Sequence, residues 1–213
     1  MGTGTVTNVK KCAVFVGGDR IGETTLDRDS LAGSFVIAAD IGFVYVQELG
    51  VKPDLIIGDF DSAQMPEADC EVYPVRKDDT DMMLALKKAI SLGFDDITVY
   101  GGTGGRLDHT VGNIQALAYC CEQGVRCRLF ADGQRAEVLR PGTYHIEPPS
   151  CWSMSLFAFG SDVSGLTIHN AEYCAEDLTL TPSFPLGISN KALEGGADVT
   201  FKSGRLLCIC SQL

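Results

Sequence analysis

Apolar residues along this chain fall into two textures that change near residue 130. Upstream, short near-continuous apolar runs at 12–16, 35–39, 55–57, 72–75 and 97–100 alternate with segments of helical spacing at 43–49, 81–92 and 107–122. Such runs suit strands buried on both faces, as parallel sheets require, because strict alternation would leave one face for water. In the last helical segment Leu107, Val111, Ile114 and Ala118 repeat at i, i+4, i+7 and i+11, which predicts a helix laying one stripe on a sheet. Alternating strand and helix predict a mostly parallel, doubly covered sheet.

Downstream of residue 130 the helical period is lost. Short strand-like runs follow at 136–139, 143–146, 153–159, 166–168, 178–180, 197–201 and 206–211. They are punctuated by Pro141-Gly142, Gly160, Gly165, Pro182, Pro185, Gly187, Gly195-Gly196 and Gly204. Closely spaced strands between Gly and Pro turns predict an antiparallel β-sandwich. The expected fold class is therefore α/β, with an N-terminal mostly parallel α/β domain over 1–130 and a C-terminal antiparallel β-sandwich over 131–213.

Composition narrows the function classes. With 45% apolar and 8% aromatic residues in 213, the chain has ample material for a buried core, which argues against disorder. A formal charge of −11 argues against a nucleic-acid or anionic-membrane surface, since both need clustered Lys and Arg. Any phosphate ligand must bring its own cation. The nine cysteines are odd in number, several (Cys12, Cys127, Cys208, Cys210) lie in apolar runs, and no Cys-x-x-Cys pair occurs. Buried, reduced thiols of a cytosolic protein fit this pattern better than disulfides, and packing ranks above a zinc site at Cys208 and Cys210. The first eleven residues are polar, and no apolar run approaches the roughly 20 residues of a membrane span. These features predict a soluble, cytoplasmic protein.

Three polar clusters sit at junctions where chemistry is expected. In Asp54-Leu-Ile-Ile-Gly-Asp59-Phe-Asp61-Ser62 a buried strand ends in Gly and delivers two carboxylates to the carboxyl edge of a sheet, where open α/β folds keep their ligand crevices. The pair is either a solvated loop or a site for a hard cation such as Mg²⁺, which takes carboxylates together with substrate phosphates. In Lys77-Asp78-Asp79-Thr80-Asp81 a carboxylate or Thr80 can cap the helix that follows, but the acids exceed what capping needs. In Gly101-Gly102-Thr103-Gly104-Gly105-Arg106-Leu107-Asp108 the glycines let backbone amides approach a phosphate at a helix N-terminus, and Arg106 supplies a fork suited to its oxygens. It is neither a Walker A loop nor Gly-x-Gly-x-x-Gly.

In order and spacing, Gly58-Asp-Phe-Asp-Ser62, Lys77-Asp-Asp-Thr-Asp81 and Gly104-Gly-Arg-Leu-Asp-His109 resemble the signature of the thiamin pyrophosphokinase family. Ala38-Ala-Asp40 resembles that family's upstream Ala-Asp-Gly-Gly, and Gly187-Ile-Ser-Asn190 its C-terminal thiamin-contacting Ser-Asn. The resemblance implies transfer of the β,γ-pyrophosphoryl group of ATP to the hydroxyethyl oxygen of thiamin, giving thiamin diphosphate and AMP. It also implies a homodimer with active sites at the subunit interface. By motif, Asp59, Asp61 and Asp81 are the catalytic carboxylates, and Asp59, Asp61, Asp78 and Asp81 serve Mg²⁺. Asp40, Asp78, Thr80, Gly104, Arg106, Asp108 and His109 stand on the nucleotide side, and Ser189 and Asn190 hold thiamin. The chain departs from the pattern at Ile41-Gly42, where the family has Gly-Gly. It also has Phe184 and Leu193 near the Ser-Asn segment, where animal members carry a Trp; Trp152 reads as strand packing.

The residues agree with this chemistry. Phosphoryl-type transfer needs mainly positioning and charge neutralisation, and an acidic pocket attracts a cationic thiazolium. Asp61 or Asp81 can accept the hydroxyl proton. His109 either orients phosphate or simply begins its helix, while His145 and His169 read as structural. Two other classes compete. A Mg-dependent haloacid-dehalogenase-like phosphatase would use Asp59 as its nucleophile, though its Asp-x-Asp would follow the first strand rather than the third. A nucleotide-sensing module would bind ATP without turnover.

Overall fold

The computed structural model describes residues 9–19, 21–22, 25–58, 70–72 and 79–213. The chain divides into two compact units, Met1–Cys127 and Arg128–Leu213. The first unit runs β1 (Lys11–Phe15), α1 (Arg28–Leu31), β2 (Phe35–Ala39), α2 (Gly42–Glu48), β3 (Leu55–Gly58), β4 (Cys70–Val72), α3 (Asp81–Ser91), β5 (Asp96–Tyr100) and α4 (Leu107–Glu122). All four strand pairs described here are parallel, in the order β5-β1-β2-β3-β4. Val14, Phe15, Ile37, Ile56, Ile57, Ile97 and Val99 are fully buried, as strands covered on both faces require. Phe15 and Tyr100 stack across the β1–β5 pair with centroids 5.0 Å apart.

The helices explain why some expectations hold and others do not. Thr80 caps α3, its Oγ1 accepting the Met83 N–H at 3.2 Å, and Met82, Ala85, Leu86 and Ala89 bury the i, i+3, i+4, i+7 face. In α4 the buried face is Ala116, Leu117, Ala118, Cys120 and Cys121, not the predicted stripe. Leu107 is 76% exposed and Val111 50%, so of that stripe only Ala118 is fully buried. Four of those five side chains are small, a signal that a search for large apolar residues passes over. Strand β4 spans Cys70–Val72, and residues 73–75 of the apolar run at 72–75 lie outside the described residues. The single turn α1, capped by Asp27 onto the Ser30 N–H at 2.9 Å, was not foreseen.

The division between units falls within β6 (Arg126–Ala131). The sequence places Cys127 in an apolar run but sets no bounds for this strand, because Arg126 and Arg128 interrupt Cys127, Leu129 and Ala131. The second unit continues with β7 (Gln134–Leu139), β8 (Gly142–Ile146), β9 (Trp152–Ala158), β10 (Val163–His169), β11 (Ala175–Leu180), β12 (Gly187–Asn190), β13 (Ala197–Phe201) and β14 (Leu206–Gln212). Strands β12, β9, β14 and β7 are neighbours in that order, and β11, β10, β13 and β8 form a separate four-stranded sheet. Every one of these pairings is antiparallel. Met154, Leu156, Leu206, Cys208 and Cys210 from the first set share one apolar core with Val163, Leu166, Leu180, Val199 and Phe201 from the second. Trp152 is partly buried against that core, with the Arg135 guanidinium 5.3 Å from its ring centroid.

Candidate active site

The carboxyl ends of β1, β2 and β5 open into one cavity of about 390 Å³, within the range of small-ligand pockets. Strand β1 delivers Gly17, Gly18 and Asp19, β2 delivers Asp40, and β5 delivers the glycine loop; the start of α3 adds Thr80 and Asp81. Helix α4 contributes Arg106, His109 and Asn113, which lie at i, i+3 and i+7 and so share one face. That orientation is why Leu107 and Val111 face elsewhere. No helix among the described residues is long and apolar enough to cross a membrane.

Backbone geometry at two points answers questions the sequence raised. Where the family has Gly-Gly after Asp40, Asp40 itself takes the left-handed conformation (φ 48°), and its N–H donates to Ile57 O at 2.8 Å. Ile41 then sits at φ −58°, ψ −18°, ordinary right-handed helix, so no glycine is needed there. Gly42 is required, since a Cβ would stand 2.2 Å from Phe15 O. In the glycine loop, Gly101, Gly102, Gly104 and Gly105 all have positive φ, between 58° and 95°, a run that only glycine adopts cheaply.

Of the predicted site residues, Asp40, Thr80, Asp81, Gly104, Arg106 and His109 line this cavity together. Thr80 spends its hydroxyl on the α3 cap. Arg106 and Asp108 engage each other: Nε donates to Oδ1 at 3.1 Å and a terminal nitrogen to Oδ2. This bidentate bond holds the Asp108 carboxyl below the usual carboxylate range and raises the guanidinium in turn; both groups are exposed and screened by water. Asp79, between two motif acids, pairs instead with Lys87 at 2.7 Å. Asp59, Asp61 and Asp78 lie outside the described residues; Gly58, the last residue of β3, directly precedes Asp59.

Sequence reading passed over Gly17, Gly18, Asp19 and Asn113. The signal for the first three was present, since Val16-Gly17-Gly18-Asp19 repeats the pattern of an apolar strand ending in Gly and an acid. Asn113 carried none, because a polar residue within an amphipathic helix has no distinctive spacing.

In the second unit Ser189 and Asn190 end β12 and play different parts. Ser189 is exposed, in the left-handed region at φ 57°, and its N–H donates to Ser155 Oγ at 3.0 Å. Asn190 is only 5% exposed. Its Oδ1 accepts the N–H groups of Tyr173 (2.9 Å) and Lys191 (2.8 Å), and its Nδ2 donates to Tyr173 O (2.8 Å). The amide thus locks two segments together, and the exposed group beside it is Ser189.

A sequence model of the thiamin pyrophosphokinase catalytic domain matches residues 31–129. The thiamine pyrophosphokinase of Bacillus subtilis (strain 168) is 32% identical over 184 residues, covering 82% of this chain and 86% of that protein. The crystal structure of thiamine pyrophosphokinase from Bacillus subtilis aligns with a TM-score of 0.87 at 28% identity, over 96% of this chain and all of the other (100%). That of the Geobacillus thermodenitrificans thiamin pyrophosphokinase gives 0.83 at 26%, over 95% and 98%. The Candida albicans enzyme, at 16% identity and a TM-score of 0.76, shares the fold over 96% and 90%. The phosphatase alternative finds no support in these relatives, and β3, which leads into Asp59, lies beside the edge strand β4 rather than first in the chain. By sequence and by fold, this chain belongs to the thiamin pyrophosphokinase family.

Proposed function

We propose that this chain catalyses the ATP-dependent pyrophosphorylation of thiamin, forming thiamin diphosphate and AMP. The thiamin hydroxyl oxygen attacks the β-phosphorus, the bond from that phosphorus to the oxygen bridging to the α-phosphorus breaks, and AMP leaves with the bridging oxygen. The hydroxyl proton passes to a carboxylate, Asp61 or Asp81. The observation that carries this reading is the convergence of Asp40, Thr80, Asp81, Gly104, Arg106 and His109, chosen by motif, on one cavity at the strand ends.

The donor set suits Mg²⁺, because Asp40 and Asp81 offer hard carboxylate oxygens at the cavity wall, Asp78 shares the motif of Asp81, and Asp59 and Asp61 add two further motif carboxylates. Asp59, Asp61, Asp78 and Asp81 would hold the ion, which when bound neutralises phosphate charge. The glycine loop receives the phosphates at the N-terminus of α4, and Arg106 exchanges its fork between Asp108 and a phosphate oxygen. Residues 1–130 make the nucleotide domain. Residues 131–213 form a β-sandwich, a reading supported by two antiparallel sets of strands that share a core. Ser189 contacts thiamin, and Asn190 positions it. The protein works as a cytoplasmic homodimer whose active sites lie at the subunit interface.

The test is AMP release from ATP. It should occur only with both thiamin and Mg²⁺ present, with stoichiometric thiamin diphosphate. Inorganic phosphate released from a generic phosphoester without thiamin would overturn the reading.

A further inference from the structure

Two side chains on different helices hold the glycine loops of the cavity by their carbonyls. Asn113 Nδ2, in the second turn of α4, donates to Gly102 O at 2.8 Å, and Tyr45 Oη, on α2, donates to Gly18 O at 2.7 Å. The loops are also tied to each other: Asp19 N–H donates to Thr103 O at 2.8 Å and Gly102 N–H to Gly17 O at 2.9 Å. They lie so close that a Cβ on Gly18 would stand 2.5 Å from Thr103 O. A loop this rich in glycine has little intrinsic preference for one conformation, so its shape depends on such ties.

Position matters as much as stability here. In a trans peptide the carbonyl and the following N–H point in opposite directions. Anchoring Gly102 O on Asn113 therefore turns the Thr103 N–H away from the helix, in a loop whose residues 102–105 all line the cavity. Asn113 lines the same cavity from the face that carries Arg106 and His109.

We propose that Asn113 is a positioning residue for the nucleotide phosphates: by fixing the Gly102 carbonyl it sets the Thr103 amide of the glycine loop toward the polyphosphate of ATP. This rests on the nucleotide reading of the cavity. Asn113→Leu keeps the side chain's size but removes the donor, and Asn113 is half-buried on a helix surface, so the fold should persist. The affinity of the intact protein for ATP, measured by calorimetry with Mg²⁺, should fall about 10-fold, the loss of one hydrogen bond at a site it organises. Adenosine affinity should change by less than about twofold, since adenosine has no phosphate for the loop to meet. The Michaelis constant for ATP should rise while that for thiamin stays, and Asn113→His, which keeps a donor, should recover part of the loss. Should the leucine variant not fold, Asn113→Ala, which also lacks a donor, carries the same comparison. A folded variant that binds ATP like the wild type, or loses ATP and adenosine equally, would overturn the assignment while leaving the proposed reaction intact. Wild-type protein that binds no ATP would overturn both.

Discussion

At the scale of single residues, the site separates side chains that face the cavity from those that build it. Asp81 opens α3 and lines the cavity, while its neighbour Thr80 carries the cap, so charge at 81 can be changed without removing the helix start. Asp81→Asn should therefore lower thiamin-dependent AMP release by about 100-fold or more with little change in the denaturation midpoint, because groups that hold charge at a reacting centre often carry that much. Wild-type turnover in the Asn variant would remove Asp81 from the mechanism. The same separation governs the thiols. Burial, aided by the Asp54 carboxylate, pushes the Cys12 thiol up to about 12, and a hydrogen bond with Cys210 together with burial raises Cys208 well above its ordinary value. Both are buried, as the apolar runs around them indicated. Cys151 and Cys174 are exposed by contrast.

At the scale of elements, what the sequence revealed follows from how strongly each segment signals. Fully buried parallel strands were legible because their apolar runs are nearly continuous, and α3 because its cap and stripe coincide. β6 was legible only at Cys127, since its arginines interrupt the run, and α4 was legible as a helix but not by face, since its buried side is Leu117 among Ala and Cys. The site followed the same rule. Motif acids were visible as acids at strand ends, whereas Asn113 and Tyr45 act through backbone carbonyls that only the folded chain brings near them. Cross-strand pairing supplies a prediction at this level. His145 on β8 faces Asp198 on β13, Nδ1 to Oδ1 at 2.8 Å, and the hydrogen bond to that carboxylate raises the imidazole above its ordinary 6.5; Glu147 adds to the effect. A group raised on folding stabilises fully below its unfolded value and loses that contribution as pH rises through the folded one. The wild type should therefore be more stable than His145→Gln near pH 6, with the difference fading as pH rises into the alkaline range, small throughout because the pair is exposed. Urea midpoints across that range measure it, and a pH-independent difference would show that the charged pair contributes nothing.

At the scale of the whole molecule, the proposed reaction assigns different chemistry to the two units. In that proposal phosphate handling rests on the strand ends of Met1–Cys127, while the Ser189 turn belongs to Arg128–Leu213. A homodimer with shared sites makes a quantitative claim, because a two-fold axis repeats one cross-subunit site twice. Each site would take Asp81 from one chain and Ser189 from its partner. Ser189→Gly removes the hydroxyl yet suits the positive φ at that position, so it should impair thiamin use without disturbing the turn. Mixing Asp81→Asn chains with Ser189→Gly chains would then place both defects in one site of a mixed dimer and neither in the other. Random reassortment puts about half the chains in mixed dimers, so about one quarter of wild-type site activity should return, a consequence of the two-fold symmetry. Subunit exchange is verified independently by mass spectrometry of chains carrying different isotopes. If the chains exchange and the mixture is no more active than the average of its two components, each chain completes its own site, and the shared-site arrangement is wrong while the chemistry at Asp81 stands.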